Sequence, residues 1–139
     1  MPNEKLILQY LQKLREYLSN LKTLQKYSFD EFNEQIEINW AINRGLQLIV
    51  ECSIDLGEEI IGGMDIAKPN TYRETFKILS RKEVISSSVS KEMQRLVEFR
   101  NRLIHDYLYL DQEEIFEVLQ NDLKHFEKYL IEIEKFLKK

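Results

Sequence analysis

The sequence predicts an all-α fold, and three observations carry that prediction. Glycine and proline are scarce, four and two in 139 residues, which leaves too little turn material for a sandwich or a barrel. Apolar residues recur at steps of three and four through most of the chain, the period of a helix that buries one face. Several of these runs are preceded by Ser, Thr or Asp with Glu three residues later, the spacing of a helix N-terminal capping box. The apolar share of 43% and charged share of 32% are globular values, and the length suits one domain, residues 1–139. The expected architecture is a bundle of four to five helices around one long central helix.

Taken in order, Ile7, Tyr10, Leu11, Leu14, Tyr17, Leu18, Leu21 and Leu24 line one face of a first helix that should end near Tyr27. Ser28 with Glu31 caps a second, long helix expected from about Phe29 to Ile61, where Gly62 and Gly63 stop it. The later half of that helix is apolar nearly all round except for the line Asn43, Gln47, Glu51 and Asp55, which makes it central. Pro69 and the Thr71 to Glu74 spacing open a short third helix carrying Tyr72, Phe76 and Leu79, and "SRKEVISSSV" reads as a polar connection. A fourth helix starts in that serine run and turns Val89, Met93, Leu96, Val97, Leu103 and Ile104 to the core. Asp111 with Glu114 caps a last helix, whose Ile115, Val118, Leu119, Phe126, Leu130, Ile133 and Phe136 keep the same period down to Lys138 and Lys139.

The net charge of −4 argues against a surface coated with phosphate-binding residues, so any nucleic-acid contact should be local. A single cysteine, Cys52, excludes an intrachain disulfide and a cysteine zinc site and reads as a small core residue. The N-terminal run "MPNEKLILQYLQKL" interrupts its apolar residues with Glu, Lys and Gln, unlike a signal peptide or a membrane span. The expected setting is soluble and cytoplasmic.

One stretch, "EFRNRLIHDY" at residues 98–107, breaks the bland pattern. At about 100° per residue, Met93, Leu96, Leu103, Ile104 and Tyr107 all fall within roughly 60° of Arg100, so a permanent charge stands in the middle of an apolar stripe. A guanidinium cannot shed its proton, and its hydration must be replaced by specific acceptors. Either Arg100 meets Glu51 or Asp55 on the polar line of the central helix, or the stripe is partly a cleft or subunit seam open to an anion, and both can hold together. His105 points roughly 140° away from Arg100 and lies about 7.5 Å further along a straight helix. The two would therefore converge only if the helix loosens before Asp111 or if a second copy brings its own pair across a two-fold seam. His125 has no comparable neighbours in sequence and reads as solvated.

Arg100, Asn101, His105 and Tyr107 resemble the R-x-x-x-x-H-x-Y signature of the HEPN-domain ribonuclease toxins called HepT. The similarity extends to "NRGLQLIVECSIDLGEEII", which resembles the family's central helix, to "KPNTYRETFKIL", its following segment, and to "LVEFRNRLIHDYLYLD", its motif region. The resemblance implies a HEPN-like helical bundle that is active as a homodimer, with the nuclease site between protomers; the chemistry set out below calls for no metal or cofactor. It implies that Arg100 and His105 are the catalytic pair and Asn101 the polar residue following the arginine. Tyr107 matches the tyrosine that a cognate nucleotidyltransferase, the MntA antitoxin, modifies with AMP to silence the toxin. Asp106 adds a negative charge beside the expected phosphate site.

The chemistry is reasonable on its own terms. RNA carries its nucleophile, the 2′-hydroxyl, so cleavage needs in-line geometry, a proton acceptor or donor near neutral pH, and cations for the developing charge. Histidine suits the proton work, and arginine can hold a phosphate by two parallel hydrogen bonds. Asn101 can orient either group, while Arg95, Arg102 and Lys91 would add local positive potential for RNA, or else form a solvated face. An AMP group on Tyr107 would put a bulky anion into the phosphate cleft.

Two other classes compete. A non-catalytic helical module that binds or positions a nucleotidyltransferase would keep the fold without the reaction. A metal-dependent bundle enzyme is suggested by Glu51, Asp55, Glu58 and Glu59, but such bundles need paired Glu-x-x-His repeats, and the sequence offers only Asp122 with His125.

Overall fold

The computed structural model describes residues 3–106 and 108–139. Among them it is all-helical: α1 (Glu4–Leu24), α2 (Phe29–Glu34), α3 (Ile36–Gly62), α4 (Tyr72–Arg81), α5 (Ser87–His105), α6 (Gln112–Asn121) and α7 (Leu123–Leu137). The all-α expectation and the long central helix hold, since α3 touches α1, α2, α4, α5 and α6. Buried side chains from all seven helices form one cluster, from Ile7 and Leu14 of α1 through Ile42, Ile49 and Leu56 of α3 to Phe126 and Ile133 of α7.

Seven helices replace the expected four to five because two of the long periodic runs are broken. The run from Phe29 to Ile61 splits at Gln35, whose backbone is extended at φ −99° and ψ 111°. The capping box of Ser28 and Glu31 forms as expected, with each group satisfying the other's backbone N–H. The short α2 it opens drives Phe32 into a cluster with Phe29 and Phe116 of α6, ring centroids 5.6 to 6.2 Å apart. Below the break, Asn39 of α3 donates its side-chain amide to the freed Phe32 carbonyl at 3.3 Å and to Gln112 at 2.7 Å.

The last run breaks at Asp122. Its carboxylate makes no cap bond to α7 and instead accepts from Arg95 of α5. The expected Asp111 and Glu114 box is also different: Asp111 accepts from the Glu113 N–H at 3.0 Å, because the Glu114 carboxylate is engaged by Arg102. The first helix ends at Leu24, slightly short of Tyr27.

Two features fix α4, and hence one side of the site described below. At Gly57 of α3 a β-carbon would stand 2.9 Å from Thr75 Cγ2 and 3.0 Å from Leu79 Cδ1, so glycine permits the close approach of the two helices. At its other end α4 closes with a Schellman pair: the Val84 N–H donates to the Leu79 carbonyl at 2.8 Å, and the Glu83 N–H to Ser80 at 3.0 Å. The connection read as polar therefore carries buried Val84 and Ile85, which seal the end of α4. Ser86 then caps α5 by accepting from the Val89 N–H at 3.2 Å.

The Schellman turn requires a left-handed residue, and here it is Glu83, at φ 58°. Because a side chain is strained there and glycine is not, Glu83→Gly should raise stability by about 0.5–1 kcal/mol, read as a higher urea midpoint at unchanged slope.

Candidate active site

Of the two expected partners, Arg100 meets Glu51 and not Asp55. Its Nε and Nη2 donate to the same Glu51 Oε2 of α3, at 3.1 and 2.7 Å, and its Nη1 donates to Asn101 Oδ1 at 3.1 Å. The Tyr72 ring flanks the guanidinium with its centroid 5.5 Å from the guanidinium carbon, a cation–π contact. Gln47, one turn before Glu51, donates to Glu51 Oε2 at 3.1 Å. The pair is largely enclosed, with the Arg100 side chain 16% exposed and Glu51 28%. Burial alone would raise the Glu51 pKa, but hydrogen bonds from Arg100 and Gln47, with the Arg100 charge, outweigh it and hold the carboxyl below its ordinary value.

The pair is not closed on itself. A guanidinium carries five N–H donors, and three are used here, which leaves two for another acceptor. Arg100 lines an open cleft of about 770 Å³ together with Val97, Glu98, Asn101 and His105 of α5, a volume in the range of small-ligand sites. The opposite side is residues 69–73, before and in the first turn of α4, with Lys77 a turn further on and Glu58 of α3 at one end. Both sequence alternatives for Arg100, the ion pair and the cleft, are thus present together. α5 remains helical through His105, with Asp106 as its cap, so His105 reaches the cleft without the helix loosening.

The charges around the cleft are mixed in a chain whose total is negative. Arg73, Lys77 and Arg100 face Glu58 and Glu98, with Arg73 and Glu98 in a loose pair at 3.4 Å. Burial and the nearby Asp55 raise the Glu58 pKa, and burial with Glu51 raises that of Asp55.

The other singled-out residues sit elsewhere. Arg95 is bound by Glu92 and Asp122 at 2.8 Å each, and Arg102 by Glu114 with one bond of 2.8 Å; neither lines the cleft. Tyr107 lies outside the described residues. His125 is not solvated: its side chain is 14% exposed, with Nε2 3.1 Å from Glu92 and 3.4 Å from Asp122. Burial lowers its pKa, the two carboxylates push it back up, and the balance stays below the ordinary value. The Asp122 break produces this by turning the start of α7 against α5. Among the described residues these three are a group whose geometry could hold a metal, yet Arg95 already occupies both carboxylates. The acids of α3 named in the sequence form no such group among the described residues. Cys52 is buried beside the Tyr10 carbonyl, and burial pushes its thiol up to about 12, so it is an inert core residue.

Sequence reasoning missed Tyr72, Arg73 and Lys77 as cleft residues. Their signal was the four-residue spacing of Arg73 and Lys77 just after a helix cap, which places both on one side of α4.

An arginine held at the edge of a helical cleft, with an amide and an imidazole on the same helix, defines a class of site suited to a phosphodiester. A family model described as "Ribonuclease HepT-like" matches residues 7–133, and the chain belongs to that family. It is 27% identical over 127 residues to the tRNA nuclease HepT of Aphanizomenon flos-aquae, covering 91% of this chain and 86% of that protein. It is 25% identical over 112 residues to the mRNA nuclease HepT of Shewanella oneidensis, covering 79% and 84%. In fold it matches the Shewanella oneidensis HEPN toxin, solved tri-AMPylated in complex with its MNT antitoxin, at a TM-score of 0.84 and 21% identity, over 93% of this chain and 96% of that one. Among the described residues no helix is long and apolar enough to cross a membrane.

The lowered Glu51 pKa gives a signed expectation. A carboxyl held below its unfolded value near 4.5 stabilises the fold above that value, and the contribution is lost as pH falls through the lower folded value. Glu51→Gln should therefore lower stability at pH 7 by about 1–3 kcal/mol and flatten the acid side of the stability profile, measured by urea unfolding across pH.

Proposed function

We propose that this chain is an endoribonuclease toxin that cuts RNA without a metal ion, in a cleft completed by a second copy, and that AMP transfer to Tyr107 by a partner nucleotidyltransferase silences it. The observation that supports this reading best is the convergence of Arg100, Asn101 and His105 on one open cleft, with two guanidinium N–H groups to spare. Family membership and the relatives named tRNA and mRNA nucleases give the reaction class. The structure of a relative carrying AMP groups beside its antitoxin motivates the regulatory part.

In the reaction, a base takes the proton of the 2′-hydroxyl, whose oxygen bonds to the adjacent phosphorus. The bond from phosphorus to the 5′-oxygen breaks, and an acid protonates that oxygen. The products are a 2′,3′-cyclic phosphate and a free 5′-hydroxyl. His105 of one protomer accepts the first proton, and the same residue of the second copy, in its protonated form, donates the last. Arg100 holds the phosphate oxygens as charge grows on them, and Asn101 fixes the guanidinium plane. Arg95 and Arg102 act as outer positive charges for the strand while remaining held by Asp122 and Glu114.

A second copy has a surface to use. Ile36 and Trp40, 53% and 67% exposed, share within about 60° the stripe of α3 that carries Gln47 and Glu51, an apolar lead into the site that a two-fold seam would cover. The working unit is then two copies of one HEPN-like helical domain, residues 1–139, acting in the cytoplasm.

The capture of Arg100 by Glu51 also suits the second reading, a non-catalytic module that positions a nucleotidyltransferase. Incubation of the purified chain with RNA separates the two. Cleavage should persist in chelator and spare an all-DNA analogue, and Arg100→Ala and His105→Ala should each reduce kcat by at least about 100-fold. Intact RNA would favour the module, and cleavage unchanged in both variants would overturn the assignment of Arg100 and His105. Tyr107→Phe should escape silencing while still binding its partner; full control of that variant would end the regulatory proposal.

A further inference from the structure

The RNA reading, on which this inference rests, gives work to α5 and leaves the facing wall without any. Arg73 and Lys77 stand there on one side of α4, four residues apart. Both side chains belong to exposed residues. Lys77 has no ion-pair partner among the described residues, and the Arg73 pair with Glu98 is loose, at 3.4 Å between two half-exposed side chains. Pairs of that kind contribute little and exchange readily. In a chain of net charge −4, two available cations face Arg100 across one cleft, beside Glu58 and Glu98.

The wall is also placed firmly. The close approach at Gly57 and the buried Thr75, Phe76 and Leu79 anchor α4 to α3, while the contact of Tyr72 with Arg100 fixes its first turn against α5. Arg73 and Lys77 thus project from a rigid element at a set position relative to the guanidinium. We propose that these two residues form a second phosphate subsite, which holds the nucleotide next to the cut so that α4 and α5 grip a single RNA strand from opposite sides. Arg100 takes the phosphate that reacts, and Arg73 with Lys77 takes its neighbour. Solvated surface cations would have no such effect, because they neutralise no particular phosphate.

Salt dependence separates these cases. Each phosphate contact to a single strand adds about 0.7 to the slope of log affinity against log salt. The full chain carrying His105→Ala, which keeps the probe uncut, would be titrated with a short fluorescent single-stranded RNA over a range of salt. Arg73→Gln and Lys77→Gln should each lower the slope by about 0.7. Lys77→Arg should restore it, and Lys128→Gln on α7 should leave it unchanged. Matching urea midpoints show that each variant is folded, and the Lys77 series alone decides the matter if Arg73→Gln is not. Slopes equal to the parent's in both glutamine variants would overturn the subsite while leaving the nuclease reading intact. Reduced slopes in a protein whose wild type cuts no RNA would support the subsite and remove the nuclease reading.

Discussion

The structure around the cleft depends on one interaction, the pairing of Arg100 with Glu51. A permanent cation in an apolar stripe is tolerable only if acceptors replace its hydration, and α3 supplies one carboxylate oxygen that receives two of its N–H groups. Gln47 steadies that oxygen, Tyr72 covers a face of the guanidinium, and Asn101 takes a third donor. Three helices are thereby referenced to one side chain. Because the enclosure is partial and two donors remain, the same pair that satisfies the charge also presents it. The pair holds the guanidinium in place before any ligand arrives, so little ordering is left to do on binding.

The rest of the fold serves that placement. The breaks at Gln35 and Asp122 let short helices close both ends of the bundle. α2 brings Phe32 against Phe116, and the Asp122 joint ties α6 and α7 to α5 through Arg95, which holds Asp122, and His125, which meets Glu92. α5 is held along its length, by Glu92 and Arg95 toward its start and by Arg102 with Glu114 near its end. Its last turn can then present His105 at the surface without fraying. Gly57 and the Schellman turn at Glu83 do the same for α4. The cleft therefore lies between the rims of two well-packed helices, a more exact platform than a loop would be.

Much of this was legible in the sequence because it is local. The caps at Ser28 and Thr71, the start of α5 in the serine run and the out-of-place charge at Arg100 all follow from spacing along one helix, and the polar line of α3 pointed to Glu51 or Asp55 as its partner. What was not legible depends on pairs of helices. Gln35 and Asp122 carry no glycine or proline to mark a break; the first yields to the burial of Phe32, and the second to a carboxylate drawn toward Arg95. His125 looked solvated because Glu92 is thirty-three residues away in sequence and 3.1 Å away in space. The wall formed by Arg73 and Lys77 stayed hidden for the same reason, since nothing in the period of α4 says what lies across from it.

The central claim is that Arg100 offers its remaining donors to a phosphate while Glu51 keeps hold of it. A structure of the His105→Ala protein bound to uncut single-stranded RNA tests this most directly. The account predicts a phosphate oxygen within hydrogen-bonding distance of an Arg100 terminal nitrogen, with the Glu51 contact retained. RNA bound elsewhere, with the Arg100 nitrogens engaged only by Glu51 and Asn101, would contradict it.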